Sequence, residues 1–458
     1  MARDRRIGSV CGCHKVVTMN ILFLYNATQT YTSTVFEHLS SFRKYSKNRC
    51  FYAHQDEHKA LGIDLSYFDA VVIHYTVRLP YDQISVATTG SLAGYKGLKV
   101  LLIQDEYDHT HRAWHWISKL GINLVFTVVP EQGISTVYPE SVFPNVKFVS
   151  VLTGYVPENL NFDRFILPSQ RSLVVGYRGR PLPIRYGELG LHKVNIGRLA
   201  TDYCVRHDIK HDIAWSETSR IYGDKWYEFM TACRSMLGTE SGSNVFDWDG
   251  RLSEKVRAYQ ALNPAASELD VWNAVIRPLE QPGLMNQVSP RVFEAIAART
   301  VLVMFEGAYS GVLKPDVHFI SVKLDGSNFP EVFEKLNDAK FVDAMAERTF
   351  ADIILSNKYS YTRFVELFDQ ALSNAYSESG AIEKVKGGYD FGLPSSITTG
   401  PLCADPPGPP VDSFYNSILG AKNVRELVGR LSVFFWLKVP MRVRELIKPG
   451  LKWILGRG

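Results

Sequence analysis

The sequence predicts an α/β protein built from two Rossmann-like, doubly wound parallel units facing each other across a cleft. Three observations carry this. Short apolar runs without two-residue alternation recur along the chain, as expected of strands buried on both faces. Helical stretches separate them, and strand alternating with helix gives a parallel sheet. The pattern restarts after a Pro-bearing connection near 159–170, and 458 residues exceed one ordinary core.

The first unit, residues 19–165, has expected strands at Asn20–Leu24, Ala70–His74, Lys99–Ile103, Leu124–Val128 and Lys147–Val151. Helices fall between them, over Thr34–Tyr45 and Thr110–Leu120. The second unit, residues 166–378, opens with a strand at Arg171–Gly176, a Gly-rich loop and a helix over about Lys193–His207. Its further strands are Asp212–Trp215, Ser235–Gly238, Val301–Phe305 and His318–Val322, with a helical insert at about Leu252–Leu279. A late helix pair, Thr349–Ala375, sets Phe364, Leu367, Phe368 and Leu372 on one face.

Residues 379–412 are rich in Gly, Ser and Pro and read as a linker. Residues 413–458 read as a basic amphipathic tail. Between Ala421 and Gly458 nine Lys/Arg stand against two Asp/Glu, a local +7 within a chain total of +4. The body therefore carries a net −3, which argues against a nucleic-acid partner. The tail combines cations with an apolar stripe at Val424, Leu427, Val428, Leu431 and Phe435, the pattern of a helix lying on an anionic membrane surface. A terminal helix docked on the body has the same pattern.

Residues 1–18 are polar and basic, lack the apolar centre of a cleavable signal and read as a disordered extension; Met19 looks like the start of structure. No uninterrupted apolar run is long enough to span a bilayer. Six scattered cysteines form no disulfide framework, and Cys11-Gly12-Cys13-His14 has no second ligand pair. These features suit a cytoplasmic protein, peripheral on the inner face of the membrane if the tail binds there.

Ser289-Pro290 reads as an N-cap and first helical residue, and a helix start presents free N–H groups and partial positive charge to a diphosphate. Arg291 faces phosphate or forms a structural ion pair. Glu294, one turn further, can accept two hydrogen bonds from vicinal hydroxyls such as those of a ribose. A second group, Gly176-Tyr177-Arg178-Gly179-Arg180 with Lys193 beyond it, pairs permissive glycines with cations suited to a departing diphosphate. Leu237-Gly238-Thr239-Glu240-Ser241-Gly242-Ser243 follows a strand and brings Glu240 toward donor sugar or acceptor.

Asp247-Trp248-Asp249 has a metal-binding spacing, but so short a match is cheap, and a solvated loop leading into the helical insert is the preferred reading. In the first unit, Gln104-Asp105-Glu106-Tyr107-Asp108-His109 follows an apolar strand. Asp105, and after it His109, are candidates for a base at an acceptor hydroxyl. Asn26-Ala27-Thr28-Gln29-Thr30 lacks the glycines of a dinucleotide fingerprint and is expected on the acceptor side.

The segment Ser-Pro-Arg-Val-Phe-Glu-Ala-Ile-Ala-Ala-Arg-Thr-Val-Leu-Val, from Ser289, resembles the donor-site segment of GT-B glycosyltransferases. Within that group it is most similar to the glycosyltransferase family 1 and spore-maturation-protein-B-like branch. The resemblance covers roughly Met19 to Ala375. It implies a hexosyltransferase-like enzyme that moves a sugar from a nucleotide diphosphate to a saccharide or lipid-linked acceptor, as in surface polysaccharide or glycoconjugate synthesis. It assigns donor ribose to Glu294 and leaving diphosphate to Arg180 and Lys193, with no metal or other cofactor. Asn286 stands where many members carry a second glutamate, which leaves the stereochemical outcome open. Sugar-nucleotide epimerisation, polyol-phosphate transfer and silent nucleotide-sugar binding on the same fold remain alternatives.

Overall fold

The structure, a computed structural model, describes residues 18–158, 166–378 and 395–404. The chain divides into a compact unit, Met1–Cys403, and a second unit, Ala404–Gly458. The expected N-terminal extension and basic tail lie outside the described residues, as does most of the linker.

The first sheet contains β1 (Asn20–Tyr25), β2 (Arg49–His54), β3 (Ala70–Ile73), β4 (Leu98–Leu102), β5 (Leu124–Thr127) and β6 (Lys147–Ser150). All pairings are parallel, in the order β2-β1-β3-β4-β5-β6. The second sheet contains β7 (Leu173–Arg178), β8 (His211–Ala214), β9 (Cys233–Gly238), β10 (Val301–Phe305) and β11 (Phe319–Val322), in the parallel order β11-β10-β9-β7-β8. The central strands β1, β3 and β10 are buried at every position, which is why their sequences show no alternation. β2 escaped the sequence reading. Its apolar part is only Cys50–Ala53, and pairing with β1 makes it a strand.

Two assignments change. The helix Tyr361–Glu378, placed with the second unit on sequence, packs into the core of the first sheet. The Phe364 and Phe368 rings lie 5.5 and 4.8 Å from that of Phe42, on the helix Ser33–Tyr45. Leu367, expected on the same face, is 43% exposed, because the buried stripe runs through Tyr361, Phe364, Val365, Phe368 and Leu372. Part of the expected linker is also built into the fold. Thr398 exchanges backbone hydrogen bonds with Tyr52 of β2, and the Leu402 N–H donates to the Tyr25 hydroxyl. Among the described residues no helix is long and apolar enough to cross a membrane.

Glu106 gives the first sheet a pH signature. Its carboxyl is fully buried and accepts from Thr127 Oγ1 and from the Val128 N–H at 3.1 Å, while Oε2 has no partner. Burial pushes its pKa up to about 8. A raised carboxyl favours the protonated folded state, so this group withdraws stability as pH climbs from its unfolded value toward 8. Glu106→Gln should therefore gain in Tm relative to the parent as pH rises from 5 to 8, in parallel thermal melts. A constant difference across that range would refute the assignment.

Candidate functional site

In the second sheet β7 lies between β8 and β9, so the chain leaves it in opposite directions. Ligands of open α/β sheets bind beyond the strand carboxyl ends at such a switch point. A cavity of about 240 Å³ opens there, walled by Tyr177–Arg180 from the end of β7 and Met236–Thr239 from the end of β9. Lys193 comes from the helix Gly187–Arg206, and Ser289 and Arg291 from the start of the helix Pro290–Ala297. Ser289 is extended and makes no side-chain cap, so that helix start meets the cavity uncapped.

The charge in this cavity is one-sided. Arg180 is exposed and makes no hydrogen bond or ion pair among the described residues. Lys193 Nζ donates only to neutral oxygens, Glu240 O at 3.3 Å and Ser241 Oγ at 3.2 Å. Burial, with Arg291 and Arg180 beside it, pulls the Lys193 pKa down to about 8. Arg291 donates to the Arg178 carbonyl at 2.6 Å and lies over the Trp226 ring at 5.3 Å. These three cations form no ion pair among the described residues and make a site for an anion. Close packing supports it: a Cβ on Gly179 would stand 2.9 Å from Lys193 O and 2.8 Å from the Tyr177 ring.

Other expected donor residues have different surroundings. Arg178 is held by Asp212 at 2.8 Å and stacked 4.2 Å over Phe229, so its charge is answered within the sheet although its stem lines the cavity. Glu294 is 8% exposed and sits behind Trp226, whose Nε1 donates to it at 2.8 Å. Burial raises its pKa, against the Trp226 hydrogen bond and the Arg291 charge. It touches the cavity only through Trp226.

Glu240, expected as a catalytic carboxylate, is a structural brace. Its Oε1 accepts the N–H groups of Ala308 and Tyr309 at 3.1 and 2.8 Å, and Oε2 accepts Asn286 Nδ2 at 2.5 Å. Both oxygens are thus engaged, and Asn286 is committed to holding Glu240. Gly242 follows at φ 96°, where a Cβ would stand 1.9 Å from the Met285 carbonyl, so this loop admits only glycine.

A second cavity of about 720 Å³ is lined by Tyr75–Tyr81 after β3, by Leu101–Asp105 at the end of β4, and by Arg180, Leu182, Arg185 and Tyr186 from the second sheet's loops. It lies beyond the carboxyl ends of the first sheet. Arg180 and Leu182 line both cavities, which therefore adjoin. Asp105 opens into this cleft at φ 59° and accepts the Tyr107 hydroxyl at 2.7 Å. Asp105 is exposed at the cleft; the packing around it raises its pKa, while Tyr107, Arg78 and Arg180 act in the opposite sense.

His109 is not in the cavity wall. It precedes the helix Thr110–Leu120 at φ 51°, with its ring 5.0 Å from Tyr81 and against the backbone of Gly250. Sequence reading passed over its neighbour Asp108, which ties the two sheets together. Asp108 pairs with Arg185 and accepts the hydroxyls of Tyr81 and Tyr186 at 2.7 and 3.0 Å. The only signal for it was Arg185-Tyr186 in the Pro-rich loop after β7. Asn26 caps the short turn Ala27–Gln29, and Gln29 reaches the cleft. Asp247 and Asp249 accept the N–H groups of Leu252 and Arg251, and so serve the turn into the helix Leu252–Leu262.

No family model matches the chain, and no curated protein does. Among solved structures it is similar to an alpha-glucosyltransferase in complex with UDP and a 13-mer DNA containing a HMU base, at 10% identity and TM-score 0.45, covering 78% of this chain and 100% of that one. It is also similar to T4 phage BGT in complex with UDP-glucose, at 13% identity and TM-score 0.43, covering 77% and 99%. A third, TarM, has 10% identity and TM-score 0.36, covering 66% of this chain and 54% of that one. Likenesses this distant carry no argument about chemistry. The strand orders and the two adjoining cavities show the architecture by themselves: two Rossmann-like, doubly wound α/β units open on a shared cleft.

Proposed function

We propose that this chain is a glycosyltransferase that binds a nucleotide-diphosphate sugar at the β7/β9 cavity and transfers the sugar to a hydroxyl in the adjoining cleft. One observation supports this above the others: Arg180 and Lys193, which form no ion pair among the described residues, line the donor cavity, and Arg180 also lines the cleft holding Asp105. In the reaction an acceptor oxygen bonds to the anomeric carbon as the carbon–oxygen bond to the diphosphate breaks. The departing electron pair stays on the diphosphate, where Arg180, Lys193 and the start of the helix Pro290–Ala297 stabilise it. Asp105 receives the acceptor proton, and the raised pKa of its carboxyl suits a base. Trp226 offers an aromatic wall to the nucleotide, with Glu294 fixing its ring.

The acceptor is a saccharide or lipid-linked saccharide in this reading, with surface polysaccharide or glycoconjugate synthesis as the setting. A thermal-shift screen of the full chain against UDP-, GDP-, ADP- and dTDP-sugars tests the donor site, because a bound ligand raises apparent stability by mass action. One donor class should raise Tm, and mass analysis of the products should then show a hexose added to acceptor rather than an epimerised donor. A chain whose Tm none of the four classes moves would sink this assignment.

A further inference from the structure

Five charged side chains line the cleft: Arg78, Asp105, Asp108, Arg180 and Arg185. Arg185 is neutralised by Asp108, Arg180 reaches into the donor cavity, and Asp105 holds the Tyr107 hydroxyl. Arg78 is left. Its guanidinium makes no hydrogen bond or ion pair among the described residues, although the side chain is half-buried. It is also well placed. The turn that carries it is closed by hydrogen bonds from the Tyr81 and Gln83 N–H groups to the Arg78 carbonyl, at 2.9 and 3.3 Å. The guanidinium stacks 4.1 Å over the Tyr81 ring, and Asp108 pins the Tyr81 hydroxyl at 2.7 Å.

A guanidinium held flat on an aromatic face keeps its N–H edge for a ligand, and that edge matches a carboxylate or phosphate. Keeping a half-buried charge unpaired is unfavourable, so the arrangement points to an anion from outside the chain. Tyr31, Tyr75, Tyr107 and Tyr186 also line this cleft. Aromatic faces with hydroxyl tips suit a sugar ring, which presents apolar C–H faces and polar edges.

We propose that Arg78 recognises an anionic group on the acceptor, so that the cleft takes an acidic saccharide, carrying a carboxylate or a phosphate, with its reacting hydroxyl at Asp105. This rests on the transferase reading above and adds the acceptor's chemical class to it. Arg78 is then a specificity residue, separate from the leaving-group cations.

The test uses the full chain, the donor that raises its Tm, and acceptors that differ only at C6: methyl glucoside, methyl glucuronide and methyl glucoside 6-phosphate. The parent should favour an anionic acceptor over methyl glucoside. In Arg78→Gln that preference in kcat/KM should fall by about tenfold or more, chiefly through KM, because a charge-assisted hydrogen-bond pair is lost. Arg78→Lys should recover part of it. Whichever acid is favoured, glucuronide or phosphate, identifies the anion. A parent that binds donor and prefers methyl glucoside would overturn the inference. So would an Arg78→Gln variant that slows all three acceptors alike with a displaced pH profile, since Arg78 would then act only on the charge of Asp105. Failure of the transferase reading looks different: the folded chain binds no donor, and the inference falls with it.

Discussion

Lys193→Ala is expected to weaken nucleoside diphosphate binding by about ten- to a hundredfold while leaving the fold intact. Hydrogen bonds to charged groups contribute about 1.5–3 kcal/mol, and each 1.4 kcal/mol is about tenfold in affinity. Lys193 belongs at the upper end. Its ammonium donates to Glu240 O and Ser241 Oγ, and burial, with Arg291 and Arg180 beside it, pulls its pKa down to about 8. A diphosphate supplies the missing charge in a poorly solvated place, where the attraction is strongest. The same numbers fix a pH dependence. Free Lys193 loses its proton as pH rises through about 8, and only the protonated form pairs with phosphate. Affinity for UDP or GDP should therefore fall between pH 7 and 9 in the parent and lose much of that slope in Lys193→Ala. Titration calorimetry measures both. Arg198, exposed on the same helix but outside the cavity wall, is the control; if Arg198→Ala and Lys193→Ala weaken binding equally, the site has been misplaced.

Replacing Arg171 by leucine is expected to lower folding stability by about 3 kcal/mol or more. Arg171 is 2% exposed, and its guanidinium forms no ion pair among the described residues. It donates instead to Ile166 O at 3.0 and 2.9 Å, Cys233 O at 3.0 Å, Thr300 Oγ1 at 2.7 Å and Ala298 O at 2.8 Å. Those acceptors come from the chain entering the second sheet, the start of β9, and the turn between the helix Pro290–Ala297 and β10. One planar fork thus fastens three segments beneath the donor cavity. Burial pulls its pKa down to about 10, which leaves it charged at any working pH. Leucine fills similar volume but strands the buried carbonyls of Cys233 and Ala298. Lysine should rescue little, since a point charge cannot satisfy divergent acceptors. Urea unfolding monitored by tryptophan fluorescence reads the difference; a loss below about 1 kcal/mol would contradict this account.

Much of the fold was legible because burial on both faces of a parallel strand removes polar residues from it. That is why Asn20–Leu24, Ala70–His74 and Val301–Phe305 stood out within a residue or two of β1, β3 and β10. The helix Thr110–Leu120 was readable to the residue, with its amphipathic pattern ended by Gly121 at φ 64°. Ser289-Pro290 marked a helix start for equally local reasons. What escaped depended on partners distant in sequence. The face of Tyr361–Glu378 was visible, but not that it packs against Phe42 rather than the second sheet.

For the site, sequence alone determined the residue types. Glycines and cations follow β7, a helix begins at Pro290, and a carboxylate ends the β4 segment, each a consequence of local geometry. Only the tertiary structure decided which charges are free. Arg178 and Arg180 are two residues apart, yet Asp212 pairs with the first, while the second forms no ion pair among the described residues. Sequence offered both Glu240 and Asp105 as catalytic candidates; the backbone N–H groups of Ala308 and Tyr309 engage the first, and the cleft receives the second. A side chain's chemistry is set by its identity, but its availability is set by whatever the fold brings within about 3 Å of it, and that is not a local property of the chain.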